Sequence, residues 1–455
     1  MSYHNSFSVA QILQYHPILQ ENMNARVSYY YYLEKLMRLV EWDQEKYIKS
    51  ELAFYRENLC NNTSPSSRVS YIWLQNHLLS LIPFDVAALI GFHSNYQYFT
   101  NKITLLKNQY ANTFGLTKEQ ADFFSMAVQA ATSGNSPLWS KLLQGADKLY
   151  AYYVDYLLAA RKNADFVNCR PMRVLVTATM SAGKSTLINA LTGKKISKTQ
   201  NLACTSKVHV ILSKPFEDSY ITEYDGKVLL DATQEDLLTD NEENRSDQIT
   251  VSTYFQSELG GKRILLLDTP GVNASEYAEH SEITQKVIRS KQYDLLLYVL
   301  NATQLRTTDD QKHLRFIAQH CDDKQIVFVL NKADQLFTEE EDLTALLQRQ
   351  CQYLESLGFA EPLLLPISAK AVCLVQKSMR EELNRIGQYE LDNYLYNFAQ
   401  MNFIAWDDEL CHRLHIPVVP HADDDKEELL HDCGFTVLET VLNRFLQKLG
   451  PEKEP

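Results

Sequence analysis

Ala178-Thr179-Met180-Ser181-Ala182-Gly183-Lys184-Ser185-Thr186 decides how this chain is read. The apolar β-type run Arg173-Val174-Leu175-Val176-Thr177 precedes it, and the helical pattern of Leu187, Ile188, Ala190 and Leu191 follows. Gly-Lys-Ser-Thr placed between a strand and a helix is a phosphate loop in the context it requires. Gly183 supplies the positive φ that turns backbone N–H groups toward phosphate oxygens. Lys184 brings a point charge to the β- and γ-phosphates, Ser185 a hydroxyl for magnesium, and the helix N-terminus its own positive end. The first glycine of the usual pattern is here Ala178, whose methyl group is expected to crowd the loop slightly.

Three further boxes follow in chain order, each closing an apolar run. Leu265-Leu266-Leu267-Asp268-Thr269-Pro270-Gly271 is a strand ending in DxxG. There Asp268 can hold a magnesium-bound water, and the Gly271 N–H can meet the γ-phosphate. Val329-Leu330-Asn331-Lys332-Ala333-Asp334 ends in NKxD. The Asp334 carboxylate can accept from both guanine N1–H and N2–H₂, a pair adenine does not offer. Asn331 is read as a brace between loops and the Lys332 stem as a cover for the base. Pro366-Ile367-Ser368-Ala369-Lys370 supplies the last box, where the Ala369 N–H is expected to meet guanine O6. Four boxes at successive strand ends specify a guanine-nucleotide site for GTP or GDP with Mg²⁺.

Composition places this core between helices. The chain of 455 residues holds only 14 glycines and 13 prolines, too few turn formers for a sandwich or a propeller. Helical periodicity runs from Ser8 to about Asn61 and resumes through Trp73–Phe92, Tyr96–Tyr110, Lys118–Thr132 and Leu138–Lys162. The run Tyr29–Tyr32 surrounds its helix and is read as bundle packing rather than as a binding face. Strand candidates are 173–177, 207–212, 249–255, 263–267, 294–300, 325–330 and 363–367, with helices between the later ones at 281–290, 309–319 and 339–357. Helices return at 376–384, 391–412 and 435–449, and the acidic run Asp423–Glu428 reads as a loop or helix start. Tyr224-Asp225-Gly226-Lys227 is read as a hairpin turn. The expected fold is α/β: a P-loop GTPase domain with a mainly parallel, doubly wound sheet, flanked by N- and C-terminal helical segments. The expected divisions are 1–165, 166–375 and 376–455.

Charge and cysteines narrow the partners. A formal charge of −13 disfavours general nucleic-acid binding. The eight cysteines contain no CxxC pair, and the twelve histidines contain no HxxxH or HExxH pair near a carboxylate, so no metal beyond magnesium is expected. The N-terminus carries no signal peptide and the apolar stretch Leu78–Phe92 is short and holds Pro83 and Asp85, so the expected setting is cytoplasmic.

The chain resembles dynamin-like large GTPases, especially bacterial dynamin-like proteins. The resemblance is carried by Ser181–Leu191, by Ala203-Cys204-Thr205, by Asp268-Thr269-Pro270-Gly271, and by Leu300-Asn301-Ala302-Thr303-Gln304 running to Asp309-Asp310. Gly434-Phe435 with Leu438, Leu442, Phe445 and Leu446 looks like the helix that closes such domains. The resemblance implies that Thr205 is the switch threonine meeting magnesium and the attacking water. It also implies that Ser181 helps place a charge-compensating cation or the γ-phosphate. It further implies G domains pairing across the nucleotide as a homodimer or oligomer, with flanking helices relaying hydrolysis to a peripheral membrane or protein partner. Met180 and Val272 stand where relatives or small GTPases carry a water-orienting glutamine, so slow intrinsic hydrolysis is expected. The alternatives are a regulatory GTPase switch and a weakly active pseudo-GTPase scaffold.

Overall fold

The computed structural model describes residues 13, 16–68, 81–91, 102–132, 159, 161–163, 165–167, 169–197, 208–224, 228–239, 248–272, 278–322, 325–336, 343–400 and 424–449. Contacts divide the chain into two compact units. The first is 1–170 with 214–232 and 252–254. The second is 171–213, 233–251 and 255–455.

The first unit is helical: α1 (Met23–Leu39), α2 (Lys46–Cys60), α3 (Ile82–Gly91), α4 (Ile103–Phe114) and α5 (Lys118–Thr132). Asn22 caps α1, its side chain accepting from Ala25 N–H at 3.1 Å. Tyr29, Tyr30 and Tyr32 are buried together with Leu33, Leu36 and Met37, so the tyrosine run is core packing. At its centre Asp85 is fully buried and accepts from the hydroxyls of Tyr29 and Tyr55. His16 Nε2 adds a third contact at 3.2 Å. Because His16 Nδ1 accepts from Ile18 N–H, the ring proton sits on Nε2, where it serves the carboxylate. A buried carboxylate survives only with donors around it, and this one has three.

Residues 214–232 join this unit although they follow a strand of the phosphate-loop domain in sequence. Lys214 and Asp218 form an ion pair of 2.8 Å, and both are fully buried. Lys214 Nζ also donates to Tyr220 O and Thr222 Oγ1, so all three ammonium protons are used. Tyr47, Val228 and Leu230 make a small core with Phe54 and Tyr224 against it.

Among the described residues, nine strands form a sheet of order β4-β3-β5-β2-β6-β1-β7-β8-β9. They are β1 (Met172–Ala178), β2 (Val208–Ser213), β3 (Thr222–Tyr224), β4 (Val228–Leu229), β5 (Gln248–Thr253), β6 (Ile264–Asp268), β7 (Leu295–Asn301), β8 (Ile326–Asn331) and β9 (Leu364–Ile367). β6, β1, β7, β8 and β9 run parallel, while β2 is antiparallel to β6. The parallel strands are apolar on both faces, as strands covered on both sides must be. β3 and β4 pair antiparallel as the flanks of the expected hairpin, whose turn residues 225–227 lie outside the described residues.

The helices of the second unit are α6 (Lys184–Thr192), α7 (Gln234–Thr239), α8 (Ala278–Ser290), α9 (Thr308–His320), α10 (Leu343–Ser356), α11 (Ala369–Ser378), α12 (Arg385–Gln400), α13 (Asp425–Asp432) and α14 (Phe435–Lys448). The helix expected at 376–384 is placed differently. Ser368 caps α11, accepting from Ala371 N–H, so the helix starts directly after β9 and ends at Ser378. The next one starts at Arg385 because the Asn384 side chain accepts from Gly387 N–H at 2.8 Å. Asn384 was a readable start signal. The acidic run proves to be a helix start, with the Asp424 carboxylate accepting from Lys426 and Glu427 N–H. Beneath the phosphate loop, Thr177 Oγ1 and His313 Nε2 lie 3.0 Å apart. Burial pushes His313 down to about 4, so the ring is neutral.

α14 is fastened to the turn between β5 and β6. Glu439, 5% exposed, accepts from Glu258 N–H at 3.1 Å, and Lys262 Nζ donates to Asn443 Oδ1 at 2.7 Å. Burial raises the Glu439 carboxyl from 4.5 to about 7; the Ser257 hydrogen bond opposes this and the Glu258 charge adds to it. A folded-state pKa above the unfolded value means stability is full below pH 4.5 and is lost as pH rises toward and through 7. Glu439→Gln keeps the acceptor and removes the charge. The variant is expected to match the parent at pH 4.5 and to exceed it at pH 8 by about 2–3 kcal/mol, read by urea unfolding.

Candidate functional site

The four boxes meet along the ends of β1, β6, β8 and β9, all within the second unit. Gly183 has φ +84° and ends the phosphate loop at the N-cap of α6. Only glycine fits there for a second reason: a Cβ would strike the Asn331 side-chain nitrogen. That close approach is structural. Asn331 Nδ2 donates to Ala182 O at 2.9 Å, while its Oδ1 accepts from Ala369 N–H at 3.1 Å. One buried amide therefore ties the phosphate loop, the NKxD turn and the Ser368-Ala369-Lys370 loop together. In this structure the Ala369 N–H, expected at guanine O6, is given to that amide.

Asn301, at the end of β7, is a second brace. Its Nδ2 donates to Ser181 O at 3.2 Å, and its Oδ1 accepts from the Thr303 backbone and hydroxyl. Sequence reading placed Asn301 only within a family-like stretch; an asparagine closing the strand beside the phosphate loop was the available signal. Ser181 itself is exposed and takes φ +62°, a left-handed conformation that costs a non-glycine residue of order 1 kcal/mol.

Lys184 and Asp268 form an ion pair, Nζ to Oδ1, at 9% and 2% exposure. Asp268 Oδ2 accepts from Ser197 Oγ at 3.2 Å. Ser197 is held in turn by Asn189, whose Oδ1 accepts from Ile196 and Ser197 N–H. The hydroxyl of Ser185 and the carboxylate of Asp268 are hard oxygen donors, and that donor chemistry fits Mg²⁺. Thr205 lies outside the described residues, as do Ala203 and Cys204. Thr186 opens α6 beside Ser185, with its carbonyl accepting from Cys373 Sγ.

Gly271 packs against Met180, with 3.5 Å from the position a Cβ would take to the Met180 side chain. Val272 is 5% exposed, bridges Thr179, and donates its N–H to Ala178 O at 3.1 Å. On the base side Lys332 takes φ +64°. Asp334, in the one-turn 3₁₀ helix Ala333–Leu336, accepts from the Tyr394 hydroxyl at 3.3 Å. Lys370 pairs with Glu390 at 3.2 Å. Ser368 donates its N–H to Cys433 O at 3.1 Å, and Gly434, φ +82°, lies so close to Pro366 O that no side chain fits. The α13–α14 junction is thereby sewn to the last box.

A phosphate loop, a DxxG strand end, an NKxD turn and a Ser-Ala-Lys loop on this sheet define a P-loop domain of the guanine-nucleotide-binding class. Residues 174–333 match the model of the Dynamin family, and over this stretch the chain resembles the dynamin-like GTPases. It is 23% identical over 275 residues to dynamin-like protein 1 of Campylobacter jejuni, covering 49% of this chain and 37% of that one. It is 23% identical over 266 residues to a probable transmembrane GTPase, FZO-like, chloroplastic, of Arabidopsis thaliana, covering 54% of this chain and 26% of that one. A solved oligomerised bacterial dynamin pair aligns over 95% of this chain and 63% of its own, at 15% identity and a TM-score of 0.38. The chain spans about half or less of the length of the curated relatives it matches.

Proposed function

We propose that this chain hydrolyses GTP to GDP and phosphate with Mg²⁺, that turnover depends on two G domains coming together, and that the change is passed to the flanking helices at a membrane surface. The observation that carries GTP use is the Asn331 hub, which supports one preassembled site from the phosphate and base boxes. Lys184 would leave Asp268 for the β- and γ-phosphates, freeing the carboxylate for the cation's water. Ser185, Asp268 and Thr205 would hold Mg²⁺, which when bound neutralises charge developing on the phosphates. Ser181 would face the γ-phosphate or a second cation. Asp334, with Ser368, Ala369 and Lys370 nearby, would read the base.

Neither Met180 nor the pinned Val272 can orient water, which supports a low rate in the isolated chain and a requirement for a second copy. GTP turnover measured against protein concentration tests this. A rate per molecule that climbs with concentration is expected, and a flat rate counts against dimer-dependent activation. The same two apolar positions favour a second reading, a regulatory switch or weakly active scaffold that binds a protein partner; GTP binding with near-zero turnover at every concentration would select it.

The likeness of residues 174–333 to the Dynamin family supports the membrane arm. No helix among the described residues is long and apolar enough to cross a bilayer, and the proposed setting is cytoplasmic and peripheral. Co-sedimentation with anionic liposomes at low salt and non-hydrolysable GTP is expected to pellet the chain; a chain left in the supernatant sinks membrane action.

A further inference from the structure

Tyr394 lies 60 residues beyond Asp334, on a helix that none of the four boxes contains, yet its hydroxyl donates to Asp334 Oδ2 at 3.3 Å. The Ser368 hydroxyl favours the ionised form of the same phenol, as a donor beside its oxygen does. Ser368 is fully buried and accepts from Ala371 N–H at 3.4 Å. An ionised carboxylate can only accept, so the phenol's single proton goes to Asp334 and the direction of the chain is set. It runs from Ala371 N–H to the Ser368 hydroxyl, on to the Tyr394 hydroxyl, and ends on the Asp334 carboxylate. Burial and the adjoining Asp334 charge push the Tyr394 phenol up, so it stays a donor at neutral pH.

The helix bearing Tyr394 is anchored around it. One turn earlier Glu390 pairs with Lys370, and Leu391 and Phe398 on the same side of α12 are 1% and 3% exposed. The Tyr394 and Phe398 rings lie 6.2 Å apart. These contacts hold the helix that carries the phenol.

We infer that Tyr394 is a positioning residue for guanine recognition, holding the plane of the Asp334 carboxylate for the two base donors. This rests on the guanine-binding reading above. An ionised carboxylate offers about four lone-pair sites. Guanine N1–H and N2–H₂ take one on each oxygen, and the phenol takes a second on Oδ2. All three contacts coexist, so Tyr394 stays in place when the base arrives. Without the phenol the carboxylate is free to turn about its last side-chain torsion, and two simultaneous contacts lose their alignment.

Equilibrium titration of the full chain with GDP and with IDP, which lacks the exocyclic amine, tests this in the parent and in Tyr394→Phe. Phenylalanine keeps the ring, so an unchanged thermal midpoint is expected. The variant should bind GDP about tenfold more weakly, the scale of one hydrogen bond to a charged group. IDP makes one base contact instead of two and should lose less, so the GDP-to-IDP preference falls about threefold or more. A parent that binds GDP beside a variant of equal affinity overturns the inference and leaves the guanine reading standing. A parent that does not bind GDP sinks the guanine reading itself. Equal losses for both nucleotides show a merely structural role, and tighter GDP binding shows a blocking tyrosine; either overturns the inference. Should Tyr394→Phe fail to fold, Ser368→Ala breaks the chain one link upstream and must lower the same preference.

Discussion

Lys184→Ala is expected to bind GTP and GDP at least about a hundredfold more weakly than the parent. Two effects add. The substitution removes the cation that would meet the β- and γ-phosphates, and it leaves Asp268, 2% exposed, without the ion-pair partner seen in the structure. Removing one member of a buried pair costs about 3–5 kcal/mol because the other charge stays behind. The Ser197 hydroxyl remains on Asp268 Oδ2 but is neutral and cannot replace the ammonium. The result is read by titration with a fluorescent GDP analogue, with circular dichroism to show a retained fold. Binding within threefold of the parent would remove Lys184 from the phosphate site.

The second large effect is a change of base rather than a loss of site. Asp334→Asn is expected to weaken GTP about a hundredfold, since an amide presents one acceptor and one donor where guanine offers two donors. Xanthine carries an oxygen in place of the exocyclic amine, so N1–H can meet the amide oxygen while the new oxygen accepts from the amide nitrogen. XTP should therefore become the preferred nucleotide. The Tyr394 hydroxyl, which donates to Oδ2 in the parent, also helps decide which way the new amide points. Competition of GTP, XTP and ATP for the site checks the prediction, and a retained preference for GTP would refute the base assignment.

Much of the fold was legible because its signals are local. Each parallel strand is a short apolar run, and each box closes such a run, so the boxes appear in the order of their strands along the chain. The same local reading misplaced the helix after β9, since apolar periodicity outweighed the caps at Ser368 and Asn384. It also read a hairpin turn at 224–227 but nothing of what covers 214–232. In the structure Lys214, Asp218 and Thr222 form a buried polar cluster there, and Tyr224, Val228 and Leu230 pack with Tyr47 and Phe54 of the helical unit. Nothing in the periodicity of a segment says which distant segment will cover it.

The sequence by itself determined that a guanine-type site stands in a helix-flanked, mainly parallel α/β core. Phosphate and base recognition depend on backbone turns of fixed spacing, and those spacings are written in order along the chain. Only the tertiary structure decided that the Asn331 amide gathers three of the loops, that Lys184 and Asp268 pair, and that Tyr394 reaches the Asp334 carboxylate. These are contacts between residues as much as 149 positions apart. Such contacts follow from how helices and strands pack, which no local pattern encodes.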